Sequence, residues 1–284
     1  MKIGLITDCT KLPLEQAIVK AAQLGVNGVQ IYATTGVFSP DMTPDERKHY
    51  KKLIESNGLV VSALCGDMGG THFEKEENNA LKVEKTKRIV DLAEYFDTNV
   101  VTTHIGSIPD DVNCKKYSVM LKAIAEAGRY AYARGITLAI ETGPEKAVTL
   151  KGFIERTDGG VGVNLDPANF TMCTLEDAVK AVPLLKDYIV HTHAKDGRRV
   201  DMAMDFRDIY RGFSEGGELG ERAAKAYEEL PLGQGDVDWD NYLQALKDIG
   251  YDGFLTIERE AGPNPFDDIK NAISFLKDKL SQLK

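Results

Sequence analysis

The feature of this sequence that most restricts its fold is a repeated alternation of short apolar runs and longer amphipathic segments. The short runs are rich in Val, Ile and Leu and are apolar on both faces, which is typical of parallel strands covered by helices. We predict eight strands, over residues 2–8, 28–33, 60–67, 99–106, 137–143, 162–166, 189–196 and 253–258. Eight helices alternate with them, over residues 13–24, 43–57, 76–96, 115–134, 149–156, 239–249 and 266–283, with a sixth that begins at Thr174 as its N-cap.

Strict alternation of eight strands and eight helices fits either an open, doubly wound sheet or a closed (β/α)8 barrel, also called a TIM barrel. A single barrel domain accommodates the 284 residues, and no linker-like segment divides them. No Gly-x-Gly-x-x-Gly follows a predicted strand, and the glycines within residues 66–70 lack the Lys-Ser/Thr of a phosphate-binding loop. We therefore predict an α/β protein whose residues 1–284 form one closed barrel.

Residues 198–238, which follow the seventh predicted strand, are too long for a simple connection. This segment has its own helical stretch at 220–230 and contains the aromatic residues Phe206 and Tyr210. We predict an ordered insertion that lies over the barrel mouth; a mobile surface segment is the alternative. Lys195 and Asp196, just before it, are expected to orient the turn that leads into it.

Composition excludes several classes of function. Thirty-five basic residues stand against 44 acidic ones, and a net charge of −9 disfavours extended contact with nucleic-acid backbones. The four cysteines form no Cys-x-x-Cys pair, which is typical of free thiols in a reducing compartment. The first residues, MKIGLITD, resemble a strand and not a signal peptide, and no apolar run is long enough for a membrane helix. We expect a soluble, cytoplasmic protein without nucleic-acid or membrane partners.

Polar residues end four consecutive predicted strands, at the edge where barrel enzymes place their active sites. These residues are Glu141, Asp166, His193 and Glu258. Each has a simpler explanation, such as an ion pair with lysine or a turn at Asp166, but buried carboxylates are costly unless they are paired or bind a metal. Three carboxylates and one imidazole suit Mn²⁺, Mg²⁺, Co²⁺ or Zn²⁺, and the excess of oxygen ligands favours Mn²⁺ over a closed zinc site.

The segments MKIGLITD, LAIET, NLDPANF, HTHAKDG, LGQGDVDW and GYDGFLTIERE, in this order, resemble the sugar phosphate isomerase/epimerase family, whose barrels have a xylose isomerase-like fold. The resemblance covers nearly the whole chain. It implies one divalent metal ion held by Glu141, Asp166, His193 and Glu258. It further implies that the two glutamates act as paired acid and base, as in ketose 3-epimerases. Related abasic-site endonucleases carry a histidine where this chain has Asn169, and most of their other histidines are missing, so a three-zinc nuclease is not predicted.

The implied activity is a metal-dependent isomerase or epimerase that acts on a ketose or ketose phosphate through an enediolate. Expected substrate contacts come from His104, Asn169 and Arg199, although His104 also fits a structural histidine and Arg199 a surface arginine. The alternatives are an inosose-type dehydratase, a metal-dependent phosphodiesterase and a non-catalytic sugar-binding barrel. The expected partner is a small carbohydrate substrate, and the sequence is compatible with a homodimer or tetramer.

Overall fold

Eight parallel strands close into a barrel, in the order β1-β10-β7-β6-β5-β4-β3-β2. This computed structural model describes residues 1–70 and 72–283. The strands are β1 (Lys2–Ile6), β2 (Gly28–Tyr32), β3 (Val60–Cys65), β4 (Val100–Thr103), β5 (Thr137–Glu141), β6 (Val161–Leu165), β7 (Ile189–Ala194), β8 (Asp196–Arg199), β9 (Tyr227–Leu230) and β10 (Phe254–Ile257). The prediction of a closed barrel is confirmed, and β8 and β9 form a separate two-stranded sheet.

Helices connect the barrel strands and cover their outer face. They are α1 (Leu14–Leu24), α2 (Pro44–Ser56), α3 (Glu76–Tyr95), α4 (Lys115–Tyr132), α5 (Ala147–Ile154), α6 (Pro167–Asn169), α7 (Ala178–Leu185), α8 (Phe206–Glu215), α9 (Gly217–Ala223), α10 (Trp239–Asp248) and α11 (Pro265–Gln282). Local signals set several ends: Thr43 and Glu46 form a capping box at α2, and Gly25 ends α1 with a φ of 78°. Within the described residues, no helix has the length and apolar character to cross a bilayer.

The strands divide their side chains between two cores, because successive residues point to opposite faces. Leu64, Leu138 and Val163 are fully buried in the large apolar cluster that joins strands to helices. Ala63, Val100 and Ala139 form a second, small apolar cluster. Side chains two residues apart in a strand share a face. The residue two positions after Ala139 is Glu141, so this glutamate also points into the barrel interior.

The segment after β7, residues 196–238, contains a long-range strand pairing that the sequence did not reveal. Asp196–Arg199 pairs antiparallel with Tyr227–Leu230, so the segment departs from the barrel at Asp196 and not at 198. The predicted helical stretch 220–230 is therefore wrong in its second half, where β9 replaces helix, and α8 was not predicted. A strand that pairs with a partner about thirty residues away has no local periodicity to reveal it.

The prediction that Thr174 caps the sixth helix is also wrong. Residues Phe170–Thr174 form a π-helical turn, and Leu175 follows with a φ of 56°. The helix begins later, at Ala178, because the side chain of Asp177 accepts a hydrogen bond from the amide of Val179 at 2.9 Å. Asp and Thr are both good N-caps, so the choice between two candidates three residues apart depends on how the preceding turn ends.

Candidate metal centre

Four buried side chains meet at the carboxyl ends of adjacent barrel strands. Glu141 ends β5, Asp166 follows β6, His193 lies in β7 and Glu258 follows β10. Each residue offers one ligand atom, and these atoms all lie within 4.8 Å of one another. None of the four residues is more than 6% exposed. The structure thus brings together the whole set of strand-end ligands that the sequence predicted.

The polar atoms at the centre of this cluster lack hydrogen-bond partners among the described residues. They are Oδ2 of Asp166, Nδ1 of His193 and Oε2 of Glu258. His193 Nδ1 lies 2.9 Å from Glu258 Oε2, 3.4 Å from Glu141 Oε1 and 3.8 Å from Asp166 Oδ2. Unsatisfied buried polar atoms are costly, and three carboxylates around one imidazole nitrogen are a suitable ligand set for a divalent cation. The residues present fit a metal ion.

The acidic ligands are oriented by hydrogen bonds from the same stretch of chain. Asp166 caps the short helix α6, and its Oδ1 accepts hydrogen bonds from the amides of Ala168 at 2.8 Å and Asn169 at 3.1 Å. Its other oxygen is thereby left facing the cluster. The Asn169 side chain donates to Glu141 Oε1 at 3.2 Å, and Asn164 donates to Glu141 Oε2 at 3.3 Å. Such supporting contacts fix the direction of a metal ligand.

The ring of His193 is held from the side opposite the cluster. Its Nε2 lies 3.2 Å from Oε1 of Gln30, in β2 on the other side of the barrel. Nδ2 of Asn164 lies 3.1 Å from the same nitrogen. In the tautomer that carries its proton on Nε2, His193 donates to Gln30, and the lone pair of Nδ1 is free for a cation. A second histidine, His191, precedes His193 by two residues in β7. It contacts Oδ1 of Asn164 and Oγ1 of Thr256, each at 3.1 Å. His191 therefore supports the ligand layer and does not belong to it.

The electrostatics of the cluster also indicate a cation. Burial opposes a charge on His193, but Glu141 and Glu258 raise the pKa of its imidazole well above the usual value. Burial raises the pKa of Glu258, whereas Lys195 and His193 lower it, and the net change is downward. Lys195 Nζ lies 2.8 Å from Glu260 and 3.4 Å from Glu258. Protons and Lys195 thus balance the excess negative charge, and a metal ion would displace the proton on His193.

A second polar group lies beside the cluster, on the β3 and β4 side of the mouth. His104 Nδ1 is 2.9 Å from Asp67 Oδ2, and His104 Nε2 is 3.7 Å from Glu141 Oε1. His72 Nδ1 is 3.4 Å from the other oxygen of Asp67. Burial opposes protonation of His104, but Glu141 and Asp67 raise the pKa of its imidazole to about 10. His104 is thus held firmly at the edge of the candidate site, where it was expected.

A cavity of about 350 Å³ opens above these residues. Asn169 and His104, both expected substrate contacts, line it. Three residues of the segment after β7 line it as well: Tyr210 in α8, and Tyr227 and Glu229 in β9. The volume lies at the lower end of the range of small-molecule sites.

The structure does not bring Arg199 into this cavity. Its guanidinium donates hydrogen bonds to the backbone carbonyls of Met172 and Cys173, each at 2.9 Å, and to those of Asp201 and Met204. A guanidinium with four carbonyl partners stabilises the chain around it. We therefore assign no substrate contact to Arg199, which fastens the segment after β7 to the turn after α6.

Several residues around the site were not predicted to belong to it, namely Gln30, Asn164, His72 and Tyr210, whereas Asp67 was expected as a polar residue at the end of the third strand. Gln30 and Asn164 did have a signal, because each is an amide inside an otherwise apolar strand. Asn164 also shares a strand face with Asp166, two residues further on. Tyr210 belongs to the segment predicted to lie over the barrel mouth, but only the tertiary fold shows which of its side chains reaches the cavity.

Curated relatives match in sequence over part of their length. An uncharacterised protein of Methanocaldococcus jannaschii is 23% identical over 219 residues, which are 71% of this chain and 64% of that protein. An inosose dehydratase of Clostridium perfringens is 23% identical over 175 residues, 59% of this chain and 56% of that enzyme. The chain thus spans less than two thirds of these relatives.

Solved structures match over nearly the full length. A D-tagatose 3-epimerase-like protein superposes with a TM-score of 0.76 at 20% identity, covering 99% of this chain and 97% of the other. A xylose isomerase-like TIM barrel protein from Mycobacterium smegmatis, solved in complex with magnesium, gives a TM-score of 0.73 at 17% identity, covering 100% and 98% of the two chains. At these identities the likeness shows the fold.

The family comparison covers most of the chain and agrees with the barrel fold. A model described as xylose isomerase-like TIM barrel matches residues 18–279. This range includes β2 to β10 and all four cluster residues. The chain therefore belongs to the xylose isomerase-like TIM barrel family.

Proposed function

We propose that this protein is a divalent-metal-dependent isomerase or epimerase of a ketose. The observation that carries the proposal is the position of Glu141 and Glu258, which approach the same imidazole nitrogen of His193 from two different strands, at 3.4 and 2.9 Å. Inversion at a carbon needs a base on one face and an acid on the other. Two carboxylates that flank one point in a closed site meet that need.

Glu141, Asp166, His193 and Glu258 would hold the metal ion. When bound, it would polarise the substrate carbonyl and lower the energy of the charge that develops on the enediolate. We propose Mn²⁺, because three carboxylates exceed what a closed zinc site takes. The similar barrel solved with magnesium supports a hard divalent ion.

The residues of this chain then account for proton movement. One glutamate removes the proton next to the carbonyl, and the other returns one from the opposite face. Lys195, 3.4 Å from Glu258 Oε2, favours the ionised form of that carboxylate. Asn169 and His104 line the cavity beside Glu141 and serve as hydrogen-bonding partners for substrate hydroxyls.

A dehydratase of an inosose-type ketone is the second candidate. The relative from Clostridium perfringens that bears this name supports it. Such an enzyme removes the same kind of proton but expels a neighbouring hydroxyl as water. In either case the substrate is a small carbohydrate, and we propose a cytoplasmic enzyme without nucleic-acid or membrane partners.

The test follows hydrogen exchange on candidate substrates in D₂O with the Mn²⁺-loaded protein. Epimerisation or isomerisation places deuterium on the carbon next to the carbonyl, whereas dehydration gives a product that has lost water. Glu141→Gln and Glu258→Gln should each lower the exchange rate by about 10²- to 10⁴-fold, and the exposed Glu218→Gln should not. Metal content is measured for each variant, so that loss of the ion is distinguished from loss of the base. Wild-type exchange in both glutamate variants would contradict the paired-base proposal.

A further inference from the structure

The segment after β7 delivers one tyrosine to the cavity. Helix α8 begins at Phe206, with Asp205 as its N-cap, whose Oδ1 accepts from the amide of Arg207 at 2.8 Å. Ile209 is fully buried, and Met204 just before the helix is buried as well. These contacts hold α8 against the barrel, and they direct the next residue, Tyr210, into the lining of the cavity.

The phenol oxygen of Tyr210 is shut off from solvent and has no hydrogen-bond partner among the described residues. Its ring lies beside those of His72 and His104, with centroid distances of 6.0 and 6.2 Å. Both imidazoles direct Nδ1 towards Asp67 and not towards the phenol. A phenylalanine would fill the same space without an unsatisfied hydroxyl, so the hydroxyl needs a partner that the chain does not supply.

The charged side chains that line the cavity restrict which chemical group can be the partner of the Tyr210 hydroxyl. Of the described residues that line the cavity, five are carboxylates, and Lys195 stands alone among lysines and arginines. The imidazoles of His104 and His193 also carry positive charge when protonated, but each already faces a carboxylate at 2.9 Å, Asp67 and Glu258 respectively. Lys195 Nζ already lies within 3.9 Å of the carboxylates of Glu229, Glu258 and Glu260. Phosphate recognition relies on free Lys, Arg or helix N-terminal amides, and like charges repel. This lining therefore suits uncharged hydroxyls better than a phosphate ester.

The position of Tyr210 indicates which part of a ligand it meets. The metal cluster lies at the ends of β5, β6, β7 and β10, whereas His104 follows β4 and His72 lies in the connection after β3. Tyr210 packs against these two histidines, on the β3 and β4 side of the same cavity. A ligand whose carbonyl is held at the cluster would extend its remaining carbons towards Tyr210.

We propose that the site takes an uncharged polyhydroxy ketone, and that the Tyr210 hydroxyl hydrogen-bonds a substrate hydroxyl remote from the carbonyl. This inference rests on the proposed function for the orientation of the ligand. It assigns part of the specificity to the segment after β7, because Tyr210 supplies an uncharged hydrogen-bonding partner while the lining carboxylates disfavour a phosphate. The substrate class is thus narrowed to free ketoses and related cyclic polyhydroxy ketones.

The test measures binding to the Mn²⁺-loaded protein by calorimetry, with matched probes. The probes are D-fructose, D-fructose 6-phosphate, D-xylulose, D-xylulose 5-phosphate and scyllo-inosose. At least one uncharged compound should bind, and a free ketose should bind about tenfold or more tightly than its phosphate. Tyr210→Phe should weaken that binding by about tenfold, while Tyr132→Phe, at an exposed helix position, should leave it unchanged.

A second measurement guards against a folding defect. Because the phenol oxygen has no partner in the free protein, Tyr210→Phe should unfold at or above the wild-type temperature without sugar. Tighter binding of a phosphate ester, equal affinity in wild type and Tyr210→Phe, or no binding of any probe would overturn the proposal. Tyr210-dependent binding without exchange or dehydration would instead overturn the proposed function alone, since binding is measured independently of turnover.

Discussion

His193 Nδ1 lies 2.9 Å from Oε2 of Glu258, yet neither atom makes a hydrogen bond to the described chain. Two buried polar atoms this close, with Glu141 and Asp166 on the other sides, form an incomplete coordination shell. Such an arrangement is costly without a cation and favourable with one. Several expectations about stability and metal affinity depend on it.

Metal binding should stabilise the wild-type protein and not a variant that lacks the central ligand. At a free Mn²⁺ concentration about 100 times the dissociation constant, the free energy of unfolding should rise by about 2.7 kcal/mol. His193→Ala should remove this increase, whereas the exposed His49→Ala should keep it. Urea unfolding with and without Mn²⁺ measures the difference. An equal response in His193→Ala would show that the ion binds elsewhere.

The glutamine behind His193 should control metal affinity without touching the ion. Gln30 Oε1 lies 3.2 Å from His193 Nε2 and can accept its proton, so loss of Gln30 frees the ring to change tautomer and orientation. We expect Gln30→Leu to weaken Mn²⁺ binding by about 10- to 100-fold, as for other residues that orient a ligand. Gln16→Leu, on the exposed face of α1, is the matched control. Unchanged affinity in Gln30→Leu would contradict this role.

Arg199 should affect stability and not substrate contact. Arg199→Ala leaves the carbonyl groups of Met172, Cys173, Asp201 and Met204 without their shared donor. We expect a loss of about 3 kcal/mol in the free energy of unfolding, together with faster proteolysis of residues 201–226. The neighbouring Arg198→Ala removes a solvent-exposed ion pair with Glu228 and should cost under about 1 kcal/mol. Full stability with impaired substrate binding would restore the substrate-contact hypothesis.

Two glycines should respond in opposite ways to the same substitution. A Cβ at Gly235 would overlap Oδ1 of Asp196, whose carboxylate accepts hydrogen bonds from the amide of Gly233 and from the indole of Trp239. Gly235→Ala should therefore lower the free energy of unfolding by about 3 kcal/mol.

The control is Gly152 in α5, where an added Cβ meets nothing within 4 Å. Gly152→Ala should raise the free energy of unfolding by about 0.5–1 kcal/mol, because alanine restricts the unfolded chain and favours helix. Denaturant titration of both variants tests the pair, and a tolerated Gly235→Ala would show that the Asp196 contacts rearrange.

Glu145 should make the protein less stable as the pH rises. Burial, reinforced by Glu176, raises the pKa of this carboxyl to about 8 from an ordinary 4.5. Between these two values the folded state holds a proton that the unfolded state has lost, so stability falls as pH increases. The fall from pH 4.5 to 7 should be about 3 kcal/mol, and Glu145→Gln, which mimics the protonated acid, should lack it. Parallel pH profiles of wild type and variant would refute this, and Glu218→Gln supplies the control.

The barrel could be predicted from the sequence more completely than the segment after β7. Barrel strands are local apolar runs, and their parallel direction brings all their carboxyl ends to one mouth, so the proximity of Glu141, Asp166 and Glu258 was predictable. The role of Arg199 was not predictable, because its partners are carbonyls whose directions depend on the turn after α6. The strand at 227–230 was missed because its pairing partner is distant in the sequence. The boundary error at Thr174 arose because the preceding residues form a π-helical turn instead of leading directly into a helix.

By itself, the sequence determined the barrel and the composition of its strand-end cluster. Periodicity and residue type are local properties, and a closed barrel converts strand-end position directly into proximity. Only the tertiary structure decided which atoms face the metal position, through Gln30 across the barrel from His193. The sequence predicted that residues 198–238 cover the barrel mouth, but only the tertiary structure placed the Tyr210 side chain in the cavity. Helix α8 is positioned by burial of Ile209 and by the long-range pairing of β8 with β9.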